Sequence, residues 1–388
     1  MAQPNGKDVR IAITAQSKDE AAMLHHVSRN CGFEKSVVFD CPRSTFEEAK
    51  RQQFQLFITY HDFPDMSGLT MIQSLRSTGN YGLEPHLFLV NHIDNDVLVV
   101  LAENNIKYAV QKPFHSDHIN QKLASLWHEE LHLSAFERDY REAHAALQGG
   151  LLEMAYDLAI KVLKTHKLHE KILLLLGDIE IKMGRNSESR KFYEKAQTSY
   201  PDSYVASHKL AQILMSEGNF AQAAELLNNL QKLSPLNIEI LAHTGLSNFE
   251  IGKFKEAKSA MTRLRYLDHK RQDANEILAR VAIQEGNFQG ALEFLKDSHD
   301  SKEIVRVLKT EGNVFAGRNS HLRMIDMYLS MLSLLEDHSQ SYEIYYQLGE
   351  AYAEIYDLFN AVKYIKKSLE LNPDFTLARN ALKRYSSH

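Results

Sequence analysis

The chain has 388 residues, 45 Lys+Arg against 50 Asp+Glu for a formal charge of −5, and 44% hydrophobic residues. That length exceeds one ordinary core and suggests two or three domains of about 100–200 residues each. The mild acidity disfavours a phosphate backbone as partner, so nucleic-acid binding is excluded. No run of about 18 apolar residues occurs, and the opening MAQPNGKDVR lacks the basic segment and apolar core of a secretory signal. A cytoplasmic location without membrane insertion is expected.

In chain order, residues 9–14, 36–39, 55–59, 86–90 and 107–111 are short apolar or β-branched runs. Helical spacing fills the segments between and after them, from Asp19 to Asn30, Ser44 to Arg51, Gly68 to Ser77, Asn95 to Asn104 and Ser116 to Trp127. Strict alternation of this kind predicts a parallel sheet covered by helices, a doubly wound (βα)5 α/β domain over residues 1–128. Its functional crevice lies at the carboxyl ends of the strands.

Two motifs in that segment, Pro64-Asp65-Met66-Ser67-Gly68-Leu69 after the third run and Lys112-Pro113-Phe114 after the fifth, resemble the receiver domain of two-component response regulators. The resemblance covers roughly residues 8–128 and implies a flavodoxin-like fold. Receivers hold magnesium on an acidic pair and accept phosphate on an aspartate, because a hard cation needs carboxylate oxygens and an acyl phosphate needs a carboxylate. Here Ala15 and Gln16 stand at the acidic pair, Tyr60 at the acceptor, Val90 at the switch hydroxyl and Ala109 at the switch aromatic. Only Lys112 remains, expected to hydrogen-bond locally to the Tyr60 hydroxyl or Gln16.

The resemblance therefore implies a pseudo-receiver with a degenerate phosphorylation site, no metal and no cofactor. It would dock a histidine kinase, another regulator or a second copy of itself through the surface that this family forms from its fourth and fifth helices and fifth strand. The alternative is a phosphorylatable regulator using an atypical acceptor, Asp62 or Asp65. Cys31 and Cys41 read as free thiols, since neither they nor His25 and His26 have metal-site spacing. Trp127 is expected to pack against the first helices that follow or to close the α/β core.

Beyond the α/β segment, Trp127 to Arg138 contains no Gly or Pro and predicts a helical linker over residues 129–136 that continues the last receiver helix. Then Gly150, Gly184, Gly218, Gly252 and Gly286 recur at a constant step of 34 residues. Five residues after each glycine comes a small side chain, namely Ala155, Ser189, Ala223, Ala257 and Ala291, where two helices would cross closely. Pro201 and Pro235 end second helices at a common phase. This pattern resembles the tetratricopeptide repeat and implies an all-α solenoid of about seven repeats from 137 to 372, with a capping helix over 375–386 inside a repeat domain 137–388.

The best single match, Leu348-Gly349 with Tyr352, Ala361 and Pro373, lies two residues out of phase, so an insertion is expected within a divergent repeat at 302–337. Carrying the family's groove-facing phase onto this sequence marks Tyr140, His144, His208, Gln212, Phe249, Arg280, Tyr346 and Glu350 as a protein-binding groove. Tyr346, Phe249 and Arg280 rank first, because binding energy concentrates in few residues of such types. No phosphate-cradling loop, paired-histidine metal motif or triad is present, so a non-enzymatic bacterial adaptor is expected.

Overall fold

The computed structural model describes residues 6–166, 168–201, 203–335 and 341–386. Five strands, β1 (Arg10–Thr14), β2 (Lys35–Phe39), β3 (Leu56–Tyr60), β4 (His86–Val90) and β5 (Tyr108–Gln111), alternate with α1 (Lys18–Asn30), α2 (Pro42–Ala49), α3 (Gly68–Ser77), α4 (Asn95–Glu103) and α5 (Ser116–Leu131). They form one parallel sheet in the order β2-β1-β3-β4-β5, the flavodoxin-like order, whose winding reverses between β1 and β3. Every residue of β3 and β4 is buried, as central strands covered on both faces require. Helix starts follow local chemistry, for instance the Ser17 and Ser67 hydroxyls accepting the Glu20 and Thr70 amides.

Trp127 closes this α/β core, its ring edge-on to Phe33 at 5.2 Å. The helix it belongs to does not run on as a linker. It stops at His132, and α6 (Ala135–Gln148) begins afresh with the Ser134 side chain accepting the Glu137 amide. A serine three residues before a glutamate is a helix-start signal strong enough to break what the lack of Gly and Pro left open.

Seven helical hairpins follow among the described residues. They pair α6 with α7 (Leu152–Thr165), α8 (Glu170–Lys182) with α9 (Asn186–Ser199), α10 (Tyr204–Ser216) with α11 (Phe220–Leu233), and α12 (Ile238–Glu250) with α13 (Phe254–Leu267). The remaining three join α14 (Gln272–Glu285) to α15 (Phe288–Lys296), α16 (Ser301–Gly317) to α17 (His321–Leu334), and α18 (Tyr342–Glu354) to α19 (Leu358–Leu371), before a last helix, α20 (Thr376–Ser386).

All five glycines of the 34-residue series have φ between +72° and +79°, the left-handed turn that ends the first helix of each hairpin. Where the glycines stop, the turn persists, carried by Asn319 at φ 52° and Tyr356 at φ 61°. The step is thus one short before Asn319 and three long before Tyr356, which places the insertion between those two turns. Residues 336–340 of that span lie outside the described residues.

The five small residues after the glycines are fully buried. The sixth hairpin carries Met324 there instead, and relocates its close approach to Gly312, where any Cβ would collide with the Tyr328 hydroxyl. Gly177 stands in the same relation to the Tyr193 ring in the second hairpin.

The chain divides into two compact units, Met1–Ser247 and Asn248–His388. The architecture changes between α5 and α6, but compactness does not, because the α/β domain packs against the first repeats within one unit.

Candidate functional site

At the carboxyl ends of β1, β3 and β4, neutral side chains are knitted to one another. Ala15 is buried and Gln16 is exposed. Tyr60, 1% exposed, fills the end of β3 and donates its hydroxyl to Asn91 Oδ1 at 2.6 Å. Lys112 bonds to the Tyr60 hydroxyl and to Glu20. Its ammonium lies 4.6 Å from the centre of the Tyr60 ring and forms an ion pair with Glu20 at 2.8 Å. Val90 is buried in the core.

The two loop carboxylates are also engaged. Asp62 accepts the Asn91 amide at 2.8 Å, and Asp65 pairs with Arg43 at 2.7 Å. No group of three His, Cys, Asp or Glu among the described residues could hold a metal ion. Cys31 donates to Asn120 Oδ1 and Cys41 to the Ser44 hydroxyl. His25 bonds to the Ser36 hydroxyl at 2.7 Å.

The other face of the α/β domain meets the repeats. Gln73, buried on α3, donates to the Leu236 carbonyl at 3.1 Å and accepts the Ile238 amide at 2.9 Å, thereby capping the start of α12. Ser77 donates to Glu239 at 3.0 Å, and Asn237 donates to Glu103 at 2.7 Å. Leu236 packs into the α/β core beside α3 and α4, while Leu83 packs into the core of α6, α7 and α8. A Cβ at Gly82 would touch the His144 ring.

Helices α6, α8, α10 and α12 are the first helices of their repeats, the ones that line the concave face of such an array. Within the first unit, α6 and the start of α12 face the chain's own α/β domain. Tyr140 and His144 lie at that interface, and burial holds the Tyr140 hydroxyl above, and the His144 imidazole below, its ordinary titration range. His208 is tied to His243 at 2.8 Å, and burial with that second ring drives its pKa down to about 3. Gln212 lines a small pocket with Asp178 and Lys209.

In the second unit the remaining four groove residues form two clusters. The Arg280 guanidinium stacks 4.3 Å from the centre of the Phe249 ring and bonds Glu311 at 2.6 Å. Glu311 is fully buried and also accepts from Gln284 at 2.6 Å, so its charge is paired and both oxygens are satisfied. Farther along, Tyr346 packs edge-on against Phe375, and Glu350 accepts from Tyr385 on α20. The reading by phase could not find Gln73, Gln284 or Glu311, since a polar residue on an amphipathic helix carries no mark of what it will face.

The tetratricopeptide repeat model matches residues 170–203 and 342–375, the segments that hold α8–α9 and α18–α19. Those two hairpins are tetratricopeptide repeats. Similar solved structures include a tetratricopeptide repeat protein from Parabacteroides merdae, 15% identical with a TM-score of 0.42, covering 65% of this chain and 98% of that one. MamA from Desulfovibrio magneticus is 16% identical with a TM-score of 0.39, over 46% of this chain and 96% of its own. The chemotaxis protein CheY4 of Vibrio cholerae is 17% identical with a TM-score of 0.28, over 30% of this chain and 98% of its own. No curated protein matches the sequence.

Proposed function

We propose that this chain is a non-catalytic signalling adaptor of the bacterial cytoplasm, a pseudo-receiver joined to a tetratricopeptide scaffold that binds a protein partner. The observation that carries this reading is the state of the crevice. Where receivers hold a phosphorylatable aspartate, Tyr60 fills the site, its hydroxyl is committed to Asn91, and the surviving Lys112 is neutralised by Glu20. Tyr60 supplies no carboxylate nucleophile, Ala15 and Gln16 supply no acidic metal pair, and Asp62 is held by the Asn91 amide, which favours docking over phosphoryl chemistry as the domain's role.

The proposed docking face for a partner is the concave side of the second unit, around Phe249 and Arg280. The Phe249 ring is buried beneath the Arg280 guanidinium, which Glu311 fixes, so a partner would meet the preorganised edge of the guanidinium at little entropic cost and the ring would act by holding it in place. No helix in the described residues is long and apolar enough to cross a membrane.

The test uses the intact chain. Magnesium with beryllofluoride, a phosphoryl mimic, is expected to leave the melting temperature unchanged, since nothing in the crevice would bind it. A rise abolished by Asp62→Asn would overturn this reading in favour of an atypical phosphorylation site. A photo-crosslinker placed at Gln284 in the native cell is expected to capture a protein, and Phe249→Ala to reduce that capture. Adducts that are indifferent to Phe249 would move the docking face elsewhere.

A further inference from the structure

Within the first unit, the α/β domain does not seal against the repeats completely. A cleft of about 600 Å³ remains, bounded by the end of α3, the end of α4 and the starts of α8 and α10. Two charged side chains on its wall carry orphaned buried atoms: Arg76 Nε and Glu103 Oε1 have no hydrogen-bond partner. The acid whose charge acts on Arg76 is Glu84, which already accepts the Gly82 amide at 2.7 Å. Glu103 accepts from Asn237 on its other oxygen and has the Ser234 hydroxyl beside it, yet burial still holds its carboxyl above the usual range, so its charge is incompletely compensated.

A buried guanidinium whose neighbouring carboxylate is already engaged, and a buried carboxylate oxygen left unsatisfied, are both costly to keep. Proteins retain such groups where something else satisfies them. Tyr140 and Tyr204 complete the walls, both kept protonated by burial and both presenting a flat ring with a hydroxyl. The volume falls in the range of small-molecule sites, which pair apolar walls with a few convergent polar groups.

We propose that this cleft is a binding site for a small organic anion bearing an amino group, its anionic end on Arg76 and its amine on Glu103. The proposal does not depend on the adaptor reading. It makes the cleft a place where a metabolite bridges the α/β domain and the repeats. Two sources share this chemistry, a nucleoside monophosphate with a phosphate and an amino-bearing base, and a short peptide with a carboxylate and a terminal amine.

Isothermal titration of the full chain distinguishes them with AMP and the dipeptide Ala-Phe as probes. Adenosine and Ala-Phe amide serve as counterparts without the anion. Binding of one probe is expected, with its neutral counterpart at least ~10-fold weaker, the worth of a charge-assisted hydrogen bond. Arg76→Gln is expected to lose the same factor while the Ile238 amide keeps its protection from hydrogen exchange, which reports that the domains remain docked. AMP alone binding identifies a phosphate ligand, and Ala-Phe alone a carboxylate. Failure of both probes, or a neutral counterpart binding as well as its anion, overturns the proposal without recourse to any variant. So does Arg76→Gln retaining affinity.

Discussion

Gln73→Ala removes both hydrogen bonds by which α3 holds the start of α12. The side chain is 5% exposed, and its bonds to the Leu236 carbonyl and the Ile238 amide measure 3.1 and 2.9 Å. Each bond is worth about 1 kcal/mol net, and leaving the Ile238 amide buried without a partner adds about 1 kcal/mol or more. Allowing for water entering the space left behind, the local loss is about 2 kcal/mol, which corresponds to roughly thirtyfold faster opening. Amide hydrogen exchange followed by NMR reads this directly, because the Ile238 amide has Gln73 as its acceptor. Ser77→Ala is the control: its bond to Glu239 is exposed, and its loss is expected to shift exchange by less than about 0.5 kcal/mol. If the Ile238 amide exchanges in Gln73→Ala at the wild-type rate, Gln73 does not hold the interface and the described docking is wrong.

Tyr356→Gly is expected to stabilise the last repeat. Tyr356 is 91% exposed and sits in the left-handed turn where five other repeats have glycine. Relief of about 1–2 kcal/mol of backbone strain, less the extra freedom of glycine when unfolded, leaves a net gain of about 0.5–1 kcal/mol. A urea midpoint that falls would refute this. Burial holds His86, stacked on Phe57, down to a pKa of about 3, so between there and 6.5 the unfolded chain binds the extra proton. The stability this gives is complete above pH 6.5 and is lost as pH falls toward 3. In urea titrations at pH 7 and pH 4, His86→Gln is therefore expected to lose less stability on acidification than the wild type, and an equal loss would rule out His86 as a source.

The sheet, its order of helices and the turns of the solenoid were legible because each rests on a local rule that repeats. Strands such as Leu56–Tyr60 announce themselves by unbroken apolar runs, and the turns at Gly150 through Gly286 by a residue type that φ demands. The turns at Asn319 and Tyr356 were not legible as such, since a non-glycine in that conformation leaves no trace in composition. Ser134 and Glu137 carry a readable helix-start signal that outweighs the lack of Gly and Pro. For Tyr140 and His144, phase says only which way a helix face points. That the face would meet Gly82 and Arg76 of the same chain depends on contacts between distant segments, for which no periodic signature exists.

Those distant contacts change how the solenoid should come apart. Tetratricopeptide arrays ordinarily behave as a row of units coupled only to their neighbours, able to unzip from either end. Here Gln73 is bonded to residues 163 and 165 positions later in the chain. A chain that must close a loop of that size before its third and fourth hairpins are fastened folds more slowly than its helix content alone would suggest. Pulled by its ends, the first unit would resist until the clasp at Gln73 gives, and then surrender several hairpins at once in a single rip.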